Sequence, residues 1–410
     1  MQTINVLPFE IANLIAAGEV VDRPASVAKE LIENALDAGA SHVTCEIKAG
    51  GVTLIRVTDD GSGMSAEDLP LSIRRHATSK IRTADDLSGI LTLGFRGEAL
   101  AAISSVSRMT LITKTADAAS GYMLTADGGR VTDLCEVGCA DGTTVVVEDL
   151  FGRVPARKKF LKRDRTEAMA VSALVERMAL SRPDVVFRFV SDEKVIFTTP
   201  GDGDVAHALY AINGRAVAEA LLPVSFSHGG VTVTGYIGAA ENDRGNRGFQ
   251  NVFINRRYVR SKTAVAALEE AYTSYIAPGR YPVCCLYLTL DCHLVDVNVH
   301  PSQMEVRFSD ERPVFEAVYW AVRGALERDV TRPDLGLDAR ASADPAYRAG
   351  RLAGAFVPVG GLPRPQQLSA LGADERPAPP TRVAKSGHDT ARSASAPTNA
   401  DPAATAALLR

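Results

Sequence analysis

Hydrophobic positions recur along the first 330 residues in two periods. Val27, Leu31, Ala35 and Leu36 follow Pro24 at helical spacing, and Gly39 stands as a stop, so a helix is predicted over 26–38. Val43, Cys45 and Ile47 then alternate as a half-buried strand. Ile55 and Val57 mark a second strand, ended by Asp59-Asp60-Gly61-Ser62-Gly63. Ser65 with Asp68 three residues later predicts a helix N-cap. Residues 108–149 read as antiparallel hairpins with a Gly128-Gly129 turn. Strands return around Val231 and Val233, at Phe253 and Ile254, and over 283–290, with helices over 262–277 and 313–328. No strict βαβα alternation runs through the chain. The pattern therefore predicts an α+β fold, a mixed sheet with helices on one face, and a boundary near 200–215.

Residues 331–410 differ in kind. They hold ten prolines, nineteen alanines and only two aromatics, Tyr347 and Phe356. So little apolar surface does not offset the entropy of ordering a chain, and the segment reads as a flexible linker or tail. The predicted organisation is thus 1–205, 206–330 and 331–410.

Composition changes the picture little: 46% hydrophobic and 23% charged residues suit a globular protein. No apolar run is long enough to span a membrane, and the first residues lack a signal-peptide pattern. None of the six cysteines is spaced C-x-x-C, which argues against a zinc ribbon and for a reduced, cytoplasmic setting. The net charge of −4 hides two basic patches. Residues 153–165 carry seven Lys or Arg against one acid, including Arg157, Lys158, Lys159 and Lys162; residues 256–262 contribute Arg256, Arg257, Arg260 and Lys262. Neither patch contains a base-reading constellation, so each is either a solvated face or a contact to a nucleic-acid backbone without sequence choice.

Three elements carry candidate chemistry. Glu30, Asn34 and Asp37 share the helix face opposite the apolar stripe. That face is either plain solvated surface or a base and a Mg²⁺ ligand one turn apart. At the strand end, Asp59 with Gly61 and Gly63 offers a carboxylate beside backbone that a ligand can approach closely, or simply a tight turn. Gly61-x-Gly63-x-x-Ala66 also fits a loosened dinucleotide fingerprint, but the polar residues 74–80 that follow are not the strand such a unit needs. Third, Gly94 and Gly97 precede an apolar helical run from Glu98, a place for phosphates at a helix N-terminus. No Walker A string occurs.

Several strings together resemble the MutL family of DNA mismatch-repair ATPases, within the superfamily of gyrase, chaperone, histidine-kinase and MutL proteins (GHKL). They are IAAGEVVDRPASVAKELIENALDAGA over 15–40, RHATSKI over 75–81, GFRGEAL over 94–100, PARKKFL over 155–161 and DVNVHP over 296–301. The resemblance implies a Bergerat-type α/β sandwich followed by a smaller ribosomal-protein-like domain. It implies Glu30 as general base and Asn34 as Mg²⁺ ligand, with Asp37 and Ala38 beside them. It implies Asp59 as the acid that reads adenine, near Gly61, Gly63 and Met64, with Thr143 as a second adenine-side contact. Thr78, Ser79, Lys80, Gly94, Phe95, Arg96, Gly97, Glu98, Ala99 and Leu100 match the lid and phosphate cradle, and Lys262 a DNA-contacting arginine.

The implied activity is an ATP- and Mg²⁺-dependent switch. It would dimerise on ATP, bind DNA without sequence choice, and connect a mismatch-recognition protein to a downstream nuclease or helicase. One departure stands out: where the family carries a lysine that reaches the γ-phosphate, this chain has Gln303, which donates a hydrogen bond but brings no charge. An ATP-binding DNA scaffold with little hydrolysis, or another GHKL ATPase, remains the alternative. No endonuclease string is visible in 331–410.

Overall fold

The structure, a computed structural model, describes residues 17–18, 20–79, 97–296 and 306–330. Helix α1 (Pro24–Asp37) starts with proline at its first position, where the missing N–H is no loss. Val27, Ala28, Leu31, Ile32, Ala35 and Leu36 are buried on one side. Each large apolar side chain so buried is worth about 1.5–3 kcal/mol.

That side packs on an eight-stranded sheet built from β1 (His42–Lys48), β2 (Leu54–Asp59), β3 (Arg108–Lys114), β4 (Gly121–Asp127), β5 (Arg130–Val137), β6 (Gly142–Glu148), β7 (Val186–Ser191) and β8 (Lys194–Thr198). The strand order is β5-β4-β3-β6-β2-β1-β7-β8. Only β1 and β7 pair in parallel, so the sheet is mixed, as the broken alternation predicted. The β4–β5 turn falls at Gly128 and Gly129, both at positive φ, which a two-residue hairpin of this hand requires. Along β1, Val43, Cys45 and Ile47 are buried while the residues between them are not. One face of the sheet is therefore the core face, and α1, α3 (Ala99–Ser105) and α5 (Asp164–Ser181) cover it in one apolar cluster. The short α2 (Asp68–Ser72) and α4 (Pro155–Lys158) lie between these. α2 begins at Asp68, and the Ser65 hydroxyl accepts the Asp68 N–H at 3.1 Å, so the predicted capping bond forms just outside the helix.

After α6 (Val205–Asn213) and α7 (Arg215–Ala218) comes a second sheet: β9 (Leu221–His228), β10 (Val231–Gly238), β11 (Gln250–Ile254), β12 (Arg257–Val259) and β13 (Cys284–Thr289), in the order β12-β11-β13-β10-β9. β11 and β13 run parallel, and the crossover between them contains α8 (Lys262–Ala271). α8 and α9 (Arg312–Val330) bury an alanine-rich face on this sheet. The small residues let the helices lie close. A third cluster, Leu180, Ala208, Leu209, Phe253 and Cys285, joins the end of α5 to the second sheet. There the Tyr287 hydroxyl donates to the Leu180 carbonyl at 2.6 Å, and the Arg177 guanidinium lies 4.6 Å from the centre of the Tyr258 ring. Among the described residues no helix is long and apolar enough to cross a membrane.

Candidate functional site

The polar side of α1 forms a wall of a cavity of about 1530 Å³, lined by Glu30, Asn34, Asp37 and Ala38. Packing explains the arrangement: with the Val27–Leu31–Ala35 stripe held by the sheet, the residues a half-turn away face the open side. Lys29 and Glu33 also reach this cavity. The Lys29 ammonium bridges Glu33 at 2.7 Å and Glu30 at 3.3 Å, so the Glu30 carboxylate is tethered rather than loose. Burial pushes the Glu33 carboxyl up to about 7, Lys29 opposing and Glu30 adding to the rise. Burial works against the charge on Lys29, but its two carboxylate neighbours prevail and hold its pKa above the ordinary lysine value.

The end of β2 supplies the second wall. Asp59 and Asp60 are adjacent in sequence yet sit in opposite environments. Asp59 lines the cavity and accepts the Gly61 N–H at 2.9 Å. Burial raises its pKa, against the pull of the Gly61 and Thr143 backbone N–H groups. Asp60 points the other way and clasps the start of β1, accepting the N–H groups of Ser41 and His42, both at 2.8 Å, and the Ser41 hydroxyl at 2.5 Å. Those bonds outweigh its desolvation and hold its carboxyl well below the usual carboxylate range. One Asp thus lines the cavity and the other is a structural clasp.

The floor between them depends on glycine. Gly63 lines the cavity at φ +66°, and a Cβ there would lie 2.1 Å from the Lys114 carbonyl oxygen. A Cβ on Gly61 would lie 2.8 Å from that of Ala38, so this glycine lets the β2 turn close against α1. Next to them the buried Thr113 hydroxyl accepts the Met64 N–H at 2.9 Å and lies 3.0 Å from the Thr143 hydroxyl. Met64 and Thr143 both line the cavity. Thr113 is thus the joint between two predicted contacts. No sequence signal singled it out, because it sits in an ordinary strand.

Thr78, Ser79, Gly97, Glu98, Ala99 and Leu100 also line the cavity. The two stretches meet: His76 N–H donates to the Gly97 carbonyl at 3.0 Å, and Glu98 lies 3.5 Å from Arg75 and 3.3 Å from His76. Gly97 has φ +60°, and a Cβ there would come 2.7 Å from the Ala77 carbonyl oxygen. The other predicted cradle residues, Lys80, Gly94, Phe95 and Arg96, lie outside the described residues, as does Gln303.

The basic residues divide. Lys158, Lys159 and Lys162 are exposed around Phe160, whose own exposure of 84% is unusual for a phenylalanine. Lys158 pairs with Asp149 at 3.1 Å. Arg157 is half-buried, with its guanidinium packed against Gly18. In the second patch Arg256, Arg260 and Lys262 are exposed and Arg257 is half-buried. Arg260 lines the same cavity as Glu30 and Asn34, a placement its neighbours in sequence did not foretell.

The donors on α1 fit a Mg²⁺ ion. Among the described residues no three acidic, His or Cys side chains cluster to cage a metal by themselves. The cavity wall instead offers one amide oxygen, Asn34, one turn from a carboxylate, which suits a cation that shares most of its ligands with phosphates and waters.

Comparison with known proteins agrees with this geometry. Residues 23–131 match the family of histidine kinase-, DNA gyrase B- and HSP90-like ATPases, and residues 209–327 match the C-terminal domain family of DNA mismatch repair proteins. The DNA mismatch repair protein MutL of Symbiobacterium thermophilum is 51% identical over 326 residues, covering 80% of this chain and 51% of that protein. MutL of Caldanaerobacter subterraneus subsp. tengcongensis is 45% identical over 338 residues, 82% of this chain and 57% of that one. The chain thus spans about half the length of the curated relatives it matches. Among solved structures, the Aquifex aeolicus MutL ATPase domain complexed with ADP superposes with a TM-score of 0.50 at 27% identity, covering 66% of this chain and 93% of that domain. The α1 wall, the β2 turn and these relatives agree: the chain belongs to the MutL family of DNA mismatch-repair proteins and carries that family's GHKL ATPase domain.

Proposed function

We propose that this chain is a slow Mg·ATP-hydrolysing switch that dimerises when it holds ATP, binds DNA through its backbone, and passes mismatch recognition on to a nuclease or helicase. The observation that carries the reading is the shared cavity, with Glu30 and Asn34 on one wall and Asp59 and Thr143 on the other. The Glu30 carboxylate takes the proton of the attacking water. Lys29 fixes that carboxylate by a contact that does not occupy the second oxygen. Asp59 accepts from the adenine amine, and Gly63 lets the backbone approach the base. Asn34 would hold a Mg²⁺ ion, which would supply charge neutralisation for the phosphates. We assign the ATPase unit to 1–205, the second domain to 206–330 and a linker to 331–410, in a cytoplasmic protein. Mg·ATP turnover by the 410-residue chain, with dimer formation followed by sedimentation with and without ATP, tests the reading. Absence of both turnover and ATP-dependent dimerisation would overturn it.

The two aspartates give separable outcomes. Asp59→Asn replaces a charged acceptor by an amide, and ATP affinity should fall roughly 10- to 100-fold, the worth of one or two hydrogen bonds to a charged group. Because burial penalises the Asp59 charge, the thermal midpoint should hold or rise slightly. Asp60→Asn should do the reverse: ATP affinity unchanged, and stability lower by about 1 kcal/mol, the low end for lost charged hydrogen bonds because the side chain is 39% exposed. Since the folded-state pKa of Asp60 is depressed, its contribution is complete above the unfolded value, near pH 4, and fades as the pH falls below it. Urea denaturation at pH 7 and pH 3 reads that loss, and the Asp60→Asn variant should show a smaller difference between the two.

The DNA reading rests on exposed cations without a base-reading set. Lys262, exposed at the first turn of α8, should contact phosphate. Lys262→Glu should weaken binding to unrelated duplexes about equally and reduce the slope of log affinity against log salt by about one. Fluorescence anisotropy over a salt series measures both, and unchanged affinity at low salt would reduce the patch to a solvated face.

A further inference from the structure

Five basic side chains line the cavity: Arg23, Lys29, His76, Arg177 and Arg260. Three are already committed. Arg23 pairs with Glu167 at 3.5 Å, Lys29 with Glu33 and Glu30, and His76 with Glu98. Arg177 and Arg260 make no ion pair among the described residues. The guanidinium of Arg177 lies over the Tyr258 ring, which occupies its face and leaves its N–H edge to other partners. Several other arginines of this fold do find carboxylates: Arg182 with Asp184, Arg247 with Glu269, Arg280 with Asp243. Two guanidinium groups without counter-charge on the wall of a cavity form a site for an anion.

Their placement narrows the ligand. Arg177 belongs to α5, which packs on α1, while Arg260 follows β12 of the second sheet and precedes Ser261, the N-cap of α8. The Tyr258 contact ties the two elements at this point. The residue at 303, which the family pattern would make a phosphate-facing lysine, is a neutral glutamine. Among the described cavity residues, the carboxylates of Glu30 and Glu33 stand with Arg23, Lys29 and His76 already paired.

Resting on the nucleotide reading above, we propose that Arg260, with Arg177 lining the same cavity, binds the terminal phosphate of ATP and so distinguishes ATP from ADP. Arg260 contributes a charge from the second sheet to the nucleotide of the first. Lys262, two residues on, is exposed at the first turn of α8. On this proposal one short segment faces both nucleotide phosphate and DNA phosphate.

Calorimetric titration of the 410-residue chain with the imido analogue of ATP and with ADP tests this, alongside anisotropy with a short DNA duplex. Arg260→Gln should weaken the ATP analogue about tenfold or more and leave ADP within about twofold, as expected for a charge-assisted contact to one phosphate. Arg260→Lys should recover part of the loss, and Arg177→Gln should show the same ATP-selective effect to a smaller degree. Equal weakening of both nucleotides, or no change in either, overturns the proposal. Loss of DNA affinity with both nucleotides unaffected also overturns it, and returns Arg260 to the DNA face. Asn34→Ala separates this from the wider reading: if that variant and the unaltered chain bind the analogue equally, the nucleotide site itself is misassigned, whereas loss on Asn34→Ala with unaltered Arg260→Gln removes only the arginine proposal.

Discussion

Glu30→Ala should lower Mg·ATP turnover by roughly 10²–10⁴-fold, the usual contribution of a general base, while ATP affinity stays within about threefold. The carboxylate lines the cavity and is tethered by Lys29; in the proposed role it acts on the water rather than on the phosphates, whose own charge it would repel. Folding should survive the change. Lys29 keeps its shorter contact to Glu33 at 2.7 Å, and Glu30 contributes nothing to the buried stripe of α1. Asn34→Ala should behave differently, losing nucleotide affinity together with turnover, because a metal ligand acts in the ground state as well. Single-turnover hydrolysis and equilibrium binding measured on both variants decide the matter. Residual turnover unaltered in Glu30→Ala, with ATP binding lost, would assign the residue to binding and leave the base to be sought elsewhere.

Much of this site was legible in the sequence because helix periodicity and strand ends are local. The face of α1 that carries Glu30, Asn34 and Asp37 follows from 3.6 residues per turn once the buried stripe is known. The end of β2 at Asp59 follows from the glycines after it. What was not legible is what three-dimensional packing alone decides. Asp59 and Asp60 look alike in the chain, and only the clasp on Ser41 and His42 separates them. Thr113 lies in a strand 49 residues from Met64 and 30 from Thr143, so nothing in its neighbourhood announces that it joins them. Arg260 sits in a basic run and reads as one more surface cation. The relation between the second sheet and the cavity brings it to the cavity lining, and such relations depend on contacts like Tyr287 to Leu180 that no periodicity encodes.

Gly63→Ala should cost nucleotide binding far more than its single methyl group suggests. Two terms act there, and a second glycine isolates one of them. Gly39 ends α1 at φ +77°, with nothing within 4 Å of where a Cβ would be. Gly39→Ala therefore carries only the left-handed backbone penalty, about 1–2 kcal/mol of stability, and should leave ATP affinity unaltered. Gly63 has nearly the same φ, +66°, but its Cβ would lie 2.1 Å from the Lys114 carbonyl oxygen, 2.6 Å from its carbon and 3.1 Å from the Thr115 nitrogen. All three are backbone atoms of the β3 end, and none can swing aside as a flexible side chain would. Either the 61–64 turn lifts away from β3 or the end of β3 shifts. The first breaks the Met64 N–H bond to Thr113, and the second moves the partner strand of Thr143. Either movement displaces a wall of the cavity that faces the nucleotide. The expected result is a stability loss of about 3 kcal/mol or more, in the range seen for combined strain and overpacking, with ATP affinity down roughly 100-fold in whatever fraction still folds. Thermal denaturation and nucleotide titration of the two alanine variants side by side measure strain and clash separately. Equal behaviour of the two would mean that the β2 turn yields freely, and that the floor of the site is not set by the contact between Gly63 and Lys114.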